Sequence, residues 1–104
     1  MSTRLEQLQQ MLMQEPNDEF LQYAIAIEYF SVNNFEKAIN CFEKILQTNA
    51  DYLAAYYQMG KCFEELKQFD KAKDIYAKGI ALAQKQGKTK TLNELREALF
   101  LLED

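Results

Sequence analysis

Apolar positions along this chain recur at intervals of three and four residues and nowhere alternate, so the pattern predicts helices and no strand. Leu5, Leu8, Met11 and Leu12 form the first stripe. Thr3 precedes it with Glu6 three residues on, a pairing in which hydroxyl and carboxylate each satisfy a free amide at a helix start. Pro16 ends that helix, because the residue before a proline is pushed out of the helical region. Asn17 is placed to cap a second helix reaching about Ser31, with Asp18 and Glu19 against the positive end of its dipole. Asn33-Asn34 makes a turn, since asparagine tolerates left-handed backbone angles. A third helix then runs from Phe35 to about Gln47. Asp51 is the expected cap of a fourth, which ends near Leu66 at the weaker turn Lys67-Gln68. The fifth runs from about Phe69 towards Gln86, where Gly87 can supply a left-handed C-terminal cap. Thr91, paired with Glu94, is the expected start of a sixth helix carrying Leu92, Leu95, Leu99 and Leu102.

The pattern also repeats. Tyr23, Tyr29, Phe35, Lys37, Ala38 and Phe42 return thirty-four residues later as Tyr57, Phe63, Phe69, Lys71, Ala72 and Tyr76. A unit of that length cannot bury its own apolar face and must stack on a neighbour. The second copy places Tyr56, Met59, Gly60 and Phe63 on its first helix and Phe69, Ala72, Tyr76 and Gly79 on its second. The first copy gives Ile25, Ala26 and Tyr29, then Phe35, Ala38 and Phe42. In this spacing the chain resembles the tetratricopeptide repeat family over about residues 17–84. It departs from the family pattern at Gln22, where a bulky residue is usual, at Ala50 and Gln84 in place of proline, and at Ile45 in place of a small residue.

The resemblance implies an all-α, right-handed solenoid of antiparallel helix hairpins. One domain is expected over 1–104, with a flanking helix in 1–16, repeats in 17–50 and 51–86, and a capping helix in 87–104. Solenoid ends expose apolar faces that such end helices cover.

Composition narrows the functional classes. The net charge of −4 is unevenly spread: residues 1–60 hold eight acids and three bases, 61–96 nine bases and five acids, and the last eight residues three acids. With two cysteines twenty-one positions apart and no histidine, neither a disulfide framework nor a metal site is expected, and no cofactor is implied. Cys41 and Cys62 read as small buried hydrophobes. No phosphate loop, serine turn or acid–base pair points to an enzyme, and no small-molecule substrate is expected. The lysines from Lys61 to Lys90 are interleaved with Asp70 and Asp74 in an acidic chain, which speaks against nucleic acid. No apolar run approaches the roughly 20 residues of a membrane span, and Met1 to Leu5 lack the apolar stretch of a secretory leader. A cytoplasmic protein without membrane attachment is expected.

In the family that the chain resembles, the first helix of each repeat lines a concave groove that receives a peptide or helix. Phe20, Tyr23, Ile27 and Phe30 form a second apolar stripe beside the packing stripe of the second helix. The matching line of the next repeat is Ala54, Tyr57, Lys61 and Glu64. These positions read either as a groove, with Phe20, Tyr23, Phe30 and Tyr57 as anchors and Lys61 and Glu64 as polar selectors, or as core partly covered by the N-terminal helix. Repeats that grip acidic chaperone tails carry lysine and asparagine where this chain has Tyr23, Ile27 and Gln58, so that partner is not implied. The expectation is a protein or peptide partner. An alternative is a self-assembling scaffold, a possible homodimer, because Phe100 and Leu101 lie off the leucine stripe of the last helix. They mark an interface or fold back on Tyr76 and Ile80.

Overall fold

The computed structural model describes residues 3–103; Met1, Ser2 and Asp104, which enter the expectations about a leader and terminal charge, lie outside them. Six helices follow one another: α1 (Arg4–Gln14), α2 (Glu19–Ser31), α3 (Phe35–Thr48), α4 (Leu53–Glu65), α5 (Phe69–Gln86) and α6 (Thr89–Leu102). No strand occurs among the described residues. Each helix packs on the next, and α2 also touches α4, giving a short solenoid of 46 × 28 × 21 Å.

Local chemistry sets the helix ends. The Thr3 hydroxyl accepts from the Glu6 amide at 3.1 Å, as its position implies. Three other expected caps are corrected. Asp18, not Asn17, caps α2, its carboxylate accepting from the Leu21 amide at 3.0 Å. Asp51 does not cap α4: the Asn49 side chain accepts the Asp51 amide at 3.1 Å, and the helix begins two residues on with Tyr52 at its N-cap. Thr91 does not open α6. The chain turns at Gly87 (φ 68°), the Lys88 amide bonds back to the Ala83 carbonyl at 3.0 Å, and the helix starts at Thr89.

The two hairpin turns are superimposable in their bonding although their residues differ. Asn33 (φ 64°) and Lys67 (φ 59°) both take the left-handed conformation. The next amides, of Asn34 and Gln68, each reach back 2.8 Å to the carbonyls of Tyr29 and Phe63. Across each turn a lysine amine sits over an aromatic ring, Lys37 over Tyr29 at 5.7 Å and Lys71 over Phe63 at 5.9 Å. Both pairs are thirty-four residues apart, so the echo in the sequence is a repeated cation–π clasp between paired helices.

The core runs as a chain of clusters. Ala26, Phe42, Ile45, Ala55 and Cys62 are fully buried between α2, α3 and α4. Tyr76, Ala83 and Leu95 are fully buried between α5 and α6. Leu8 of α1 joins Leu21 and Ile25 at the N-terminal end. Gly60 is required where it stands, because a Cβ there would fall on the Tyr76 ring.

Candidate functional site

The stripe on α2 is divided by its depth. Phe20 is 72% exposed. Tyr23 is half-buried, its ring 5.9 Å from Phe42 and 5.5 Å from Tyr52. Burial raises its phenol pKa, the Tyr52 phenol adds to this, and a hydrogen bond with Gln58 opposes it. Ile27 and Phe30 pack against the cluster of α2, α3 and α4, Phe30 meeting Phe35 edge-on at 5.4 Å. The buried part of the stripe therefore faces α3 and α4. Helix α1 sits on another side of α2, where Leu8 meets Leu21 and Ile25.

On α4, Tyr57, Lys61 and Glu64 form a connected set. The Lys61 amine lies 5.4 Å from the centre of the Tyr57 ring and 3.6 Å from the Glu64 carboxylate. That carboxylate also accepts the hydroxyl of Tyr76. Tyr57 and Lys61 open onto a cleft of about 140 Å³ shared with Glu94, Glu97, Ala98 and Leu101 of α6. The groove candidates of α4 and one candidate for self-association thus border the same space. Phe100 and Leu101 are 75% and 70% exposed, so they do not fold back on Tyr76 and Ile80. Leu92, Leu99 and Leu102 take that role around Leu95.

Sequence reasoning did not single out three further features. Glu64 anchors a buried tyrosine, and the signal was present: where the second copy has Tyr76 and Glu64, the first has Phe42 and Phe30. A hydroxyl added to a buried ring needs an acceptor, and the glutamate supplies one. The second feature is a cleft of about 350 Å³ between α1, α2 and α3, lined by Leu12, Gln22, Ile25, Cys41, Lys44, Gln47 and Thr48. A third, more polar hollow of about 330 Å³ lies between α3 and the α4–α5 turn, with Glu36, Glu43 and Lys71 on its rim.

The thiols differ in setting. Cys62 is fully buried, and burial, with Glu65 adding, pushes its pKa up to about 12. Cys41 is partly exposed; burial raises its pKa and Lys44 opposes the rise. Neither is in a disulfide. Among the described residues no cluster of three or more acidic, cysteine or histidine side chains could hold a metal ion. No helix there is long and apolar enough to cross a membrane.

Comparison with known proteins agrees with this architecture. The tetratricopeptide repeat family profile matches residues 29–92. The solution structure of a tetratricopeptide repeat domain protein from Salinibacter ruber is 40% identical, with a TM-score of 0.79 over 85% of this chain and 89% of that one. A protein from Bordetella parapertussis shares the fold at 24% identity, with a TM-score of 0.89 over 98% of this chain and 89% of that one. Among curated sequences, the uncharacterized protein ycf37 of Pyropia yezoensis is 35% identical over 54 residues, 52% of this chain. That match spans only 30% of the relative's length. With more than half of its residues matched, from the end of α2 through α3, α4 and α5 to the start of α6, the chain belongs to the tetratricopeptide repeat family.

Proposed function

We propose that this chain is a non-catalytic, cytoplasmic protein-interaction module that receives a peptide or helix against the face formed by α2 and α4. The observation that carries this reading is that Tyr57, packed on the Tyr76 ring by one side, and Lys61 border an open cleft at the α6 edge of this face. Phe20 is left exposed on α2. Exposed or half-exposed aromatic rings concentrate binding energy because they bury a large area at little rotamer cost. Tyr23, Ile27 and Phe30 offer only their outer edges and act chiefly as the floor. Lys61 is already poised by Glu64, so an incoming carboxylate would compete for it and give polar selectivity.

Peptide display against the wild-type chain, followed by titration of selected peptides, tests this. Tyr57→Ala and Phe20→Ser should each weaken binding at least about tenfold, or about 1.4 kcal/mol; Phe20→Ser should preserve the thermal midpoint, whereas Tyr57→Ala should lower it because the ring packs on Tyr76. Unchanged affinity in both variants would remove the α2–α4 face from the account.

Exposed Phe100 and Leu101 favour a second reading, a scaffold that dimerises through α6. Sedimentation of wild type against Phe100→Lys over a wide concentration range separates the readings. A monomer in both cases eliminates self-assembly.

A further inference from the structure

The cleft between α1, α2 and α3 lies apart from the α2–α4 face and can be compared with its own counterpart in the second repeat. Gln22 lines it, and thirty-four residues on stands Tyr56. The two side chains make the same hydrogen bond: the Gln22 amide donates to the Pro16 carbonyl at 2.9 Å, and the Tyr56 hydroxyl donates to the Ala50 carbonyl at 2.9 Å. Gln22 therefore keeps the polar end of that contact and lacks the ring. The facing wall is also thinner, since Cys41 stands where the second repeat has Ile75. Ile45, at the position of Gly79, is fully buried and does not border the space. What stays open is the outer part, walled by Leu12, Ile25 and Cys41.

We infer that this cleft is a receptor for one aromatic side chain presented by a partner polypeptide, the ring that the first repeat does not supply for itself. Its volume of about 350 Å³ admits a phenol or phenyl ring, and falls in the range of roughly 300–1,000 Å³ typical of ligand sites. The wall is apolar, as ring burial demands. Lys44 lines the cleft and forms no ion pair among the described residues, so its amine is available to a ring face or to a carboxylate beside the ring.

The test uses p-cresol, the free tyrosine side chain, and N-acetyl-tyrosinamide, the same ring on a backbone. Titration of the isotope-labelled chain with p-cresol should give saturable amide shifts confined to the surroundings of Leu12, Gln22, Cys41 and Lys44, with a Kd of roughly millimolar order. Alkylation of Cys41 should slow in step. Gln22→Tyr fills the cleft from one wall and Cys41→Ile from the other, so the shifts should vanish in whichever variant folds. No saturable shift in wild type, or equal shifts in a folded filled variant, overturns the site. Binding of p-cresol without N-acetyl-tyrosinamide overturns the polypeptide source. Cys41 protection that grows with protein concentration alone and disappears in Phe100→Lys assigns the slot to a second copy, and overturns the partner assignment. The outcome is independent of the α2–α4 titrations, so the two readings fail separately.

Discussion

Tyr76 lies across Gly60 so closely that no other residue fits beneath its ring, and its hydroxyl ends on the Glu64 carboxylate. The first repeat solves the same contact with Ala26, Phe42 and Phe30, at the three corresponding positions. Glycine, tyrosine and glutamate in one copy thus replace alanine, phenylalanine and phenylalanine in the other as a set.

Gly60→Ala should destabilise the chain by about 1–3 kcal/mol, the usual cost of forcing extra volume into a packed core. Tyr76→Phe removes only the hydroxyl and should cost about 0.5–1.5 kcal/mol. Combining Tyr76→Phe with Glu64→Phe should recover part of that loss. Urea unfolding reads all three, and a neutral Gly60→Ala would contradict the steric account.

Lys67 holds a left-handed conformation that its Asn33 counterpart tolerates better. A side chain with a Cβ pays roughly 1–2 kcal/mol there, and asparagine or glycine less. Lys67→Asn should therefore raise the thermal midpoint by a few degrees. Asn33→Lys should lower it by a similar amount, because it also brings the strained residue into the first turn. A scanning melt of both variants checks the pair, and a fall with Lys67→Asn would refute the strain.

The thiols make a kinetic and a pH prediction. Cys41 should react with a small alkylating reagent in the native state, and Cys62 only when the chain unfolds. The Cys62 pKa is raised in the fold, from an ordinary value of 9.0 to about 12. Below pH 9 the thiol is neutral in both states and stability does not depend on it. Between pH 9 and 12 only the unfolded chain sheds the proton, so stability falls by up to about 1.4 kcal/mol per pH unit. Burial and the bond to Glu64 raise the Tyr76 phenol pKa as well, which adds to the alkaline loss above pH 10. Cys62→Ala should flatten the first part of that decline in a urea series, and an unchanged slope would deny the thiol its part.

Tyr23 and Phe20 are neighbours on one helix with opposite expected behaviour. Tyr23→Glu places a carboxylate between Phe42 and Tyr52 and should cost several kcal/mol. Phe20→Glu, on an exposed site, should stay within about 0.5 kcal/mol of wild type. Circular dichroism melts distinguish them. Similar losses in both would mean that Phe20 is structural.

The helices were legible because their apolar stripes are long and the repeat aligns one copy with the other. Start positions were less so. Asn17, Asp51 and Thr91 are all good caps in isolation, but Asp18, the Asn49 side chain and the Gly87 turn offer competing bonds, and these win. The place of Phe100 off the leucine stripe left exposure and a fold-back on Tyr76 and Ile80 equally open, and its 75% exposure decides between them. The depth of Tyr23 could not be read either, since it depends on Tyr52 arriving from the loop before α4. The α1–α3 cleft was likewise hidden. Gln22 is visible as a departure, yet whether its place closes depends on how α1 leans on α2.

The linked choices at Gly60, Glu64 and Tyr76 also restrict how the gene segment can shuffle. A crossover between the two copies that fell inside this block would set a tyrosine hydroxyl against Phe30, or press a ring onto the methyl of Ala26. Viable recombinants must inherit the three positions together, so each half of the solenoid is an indivisible cassette in heredity as well as in packing.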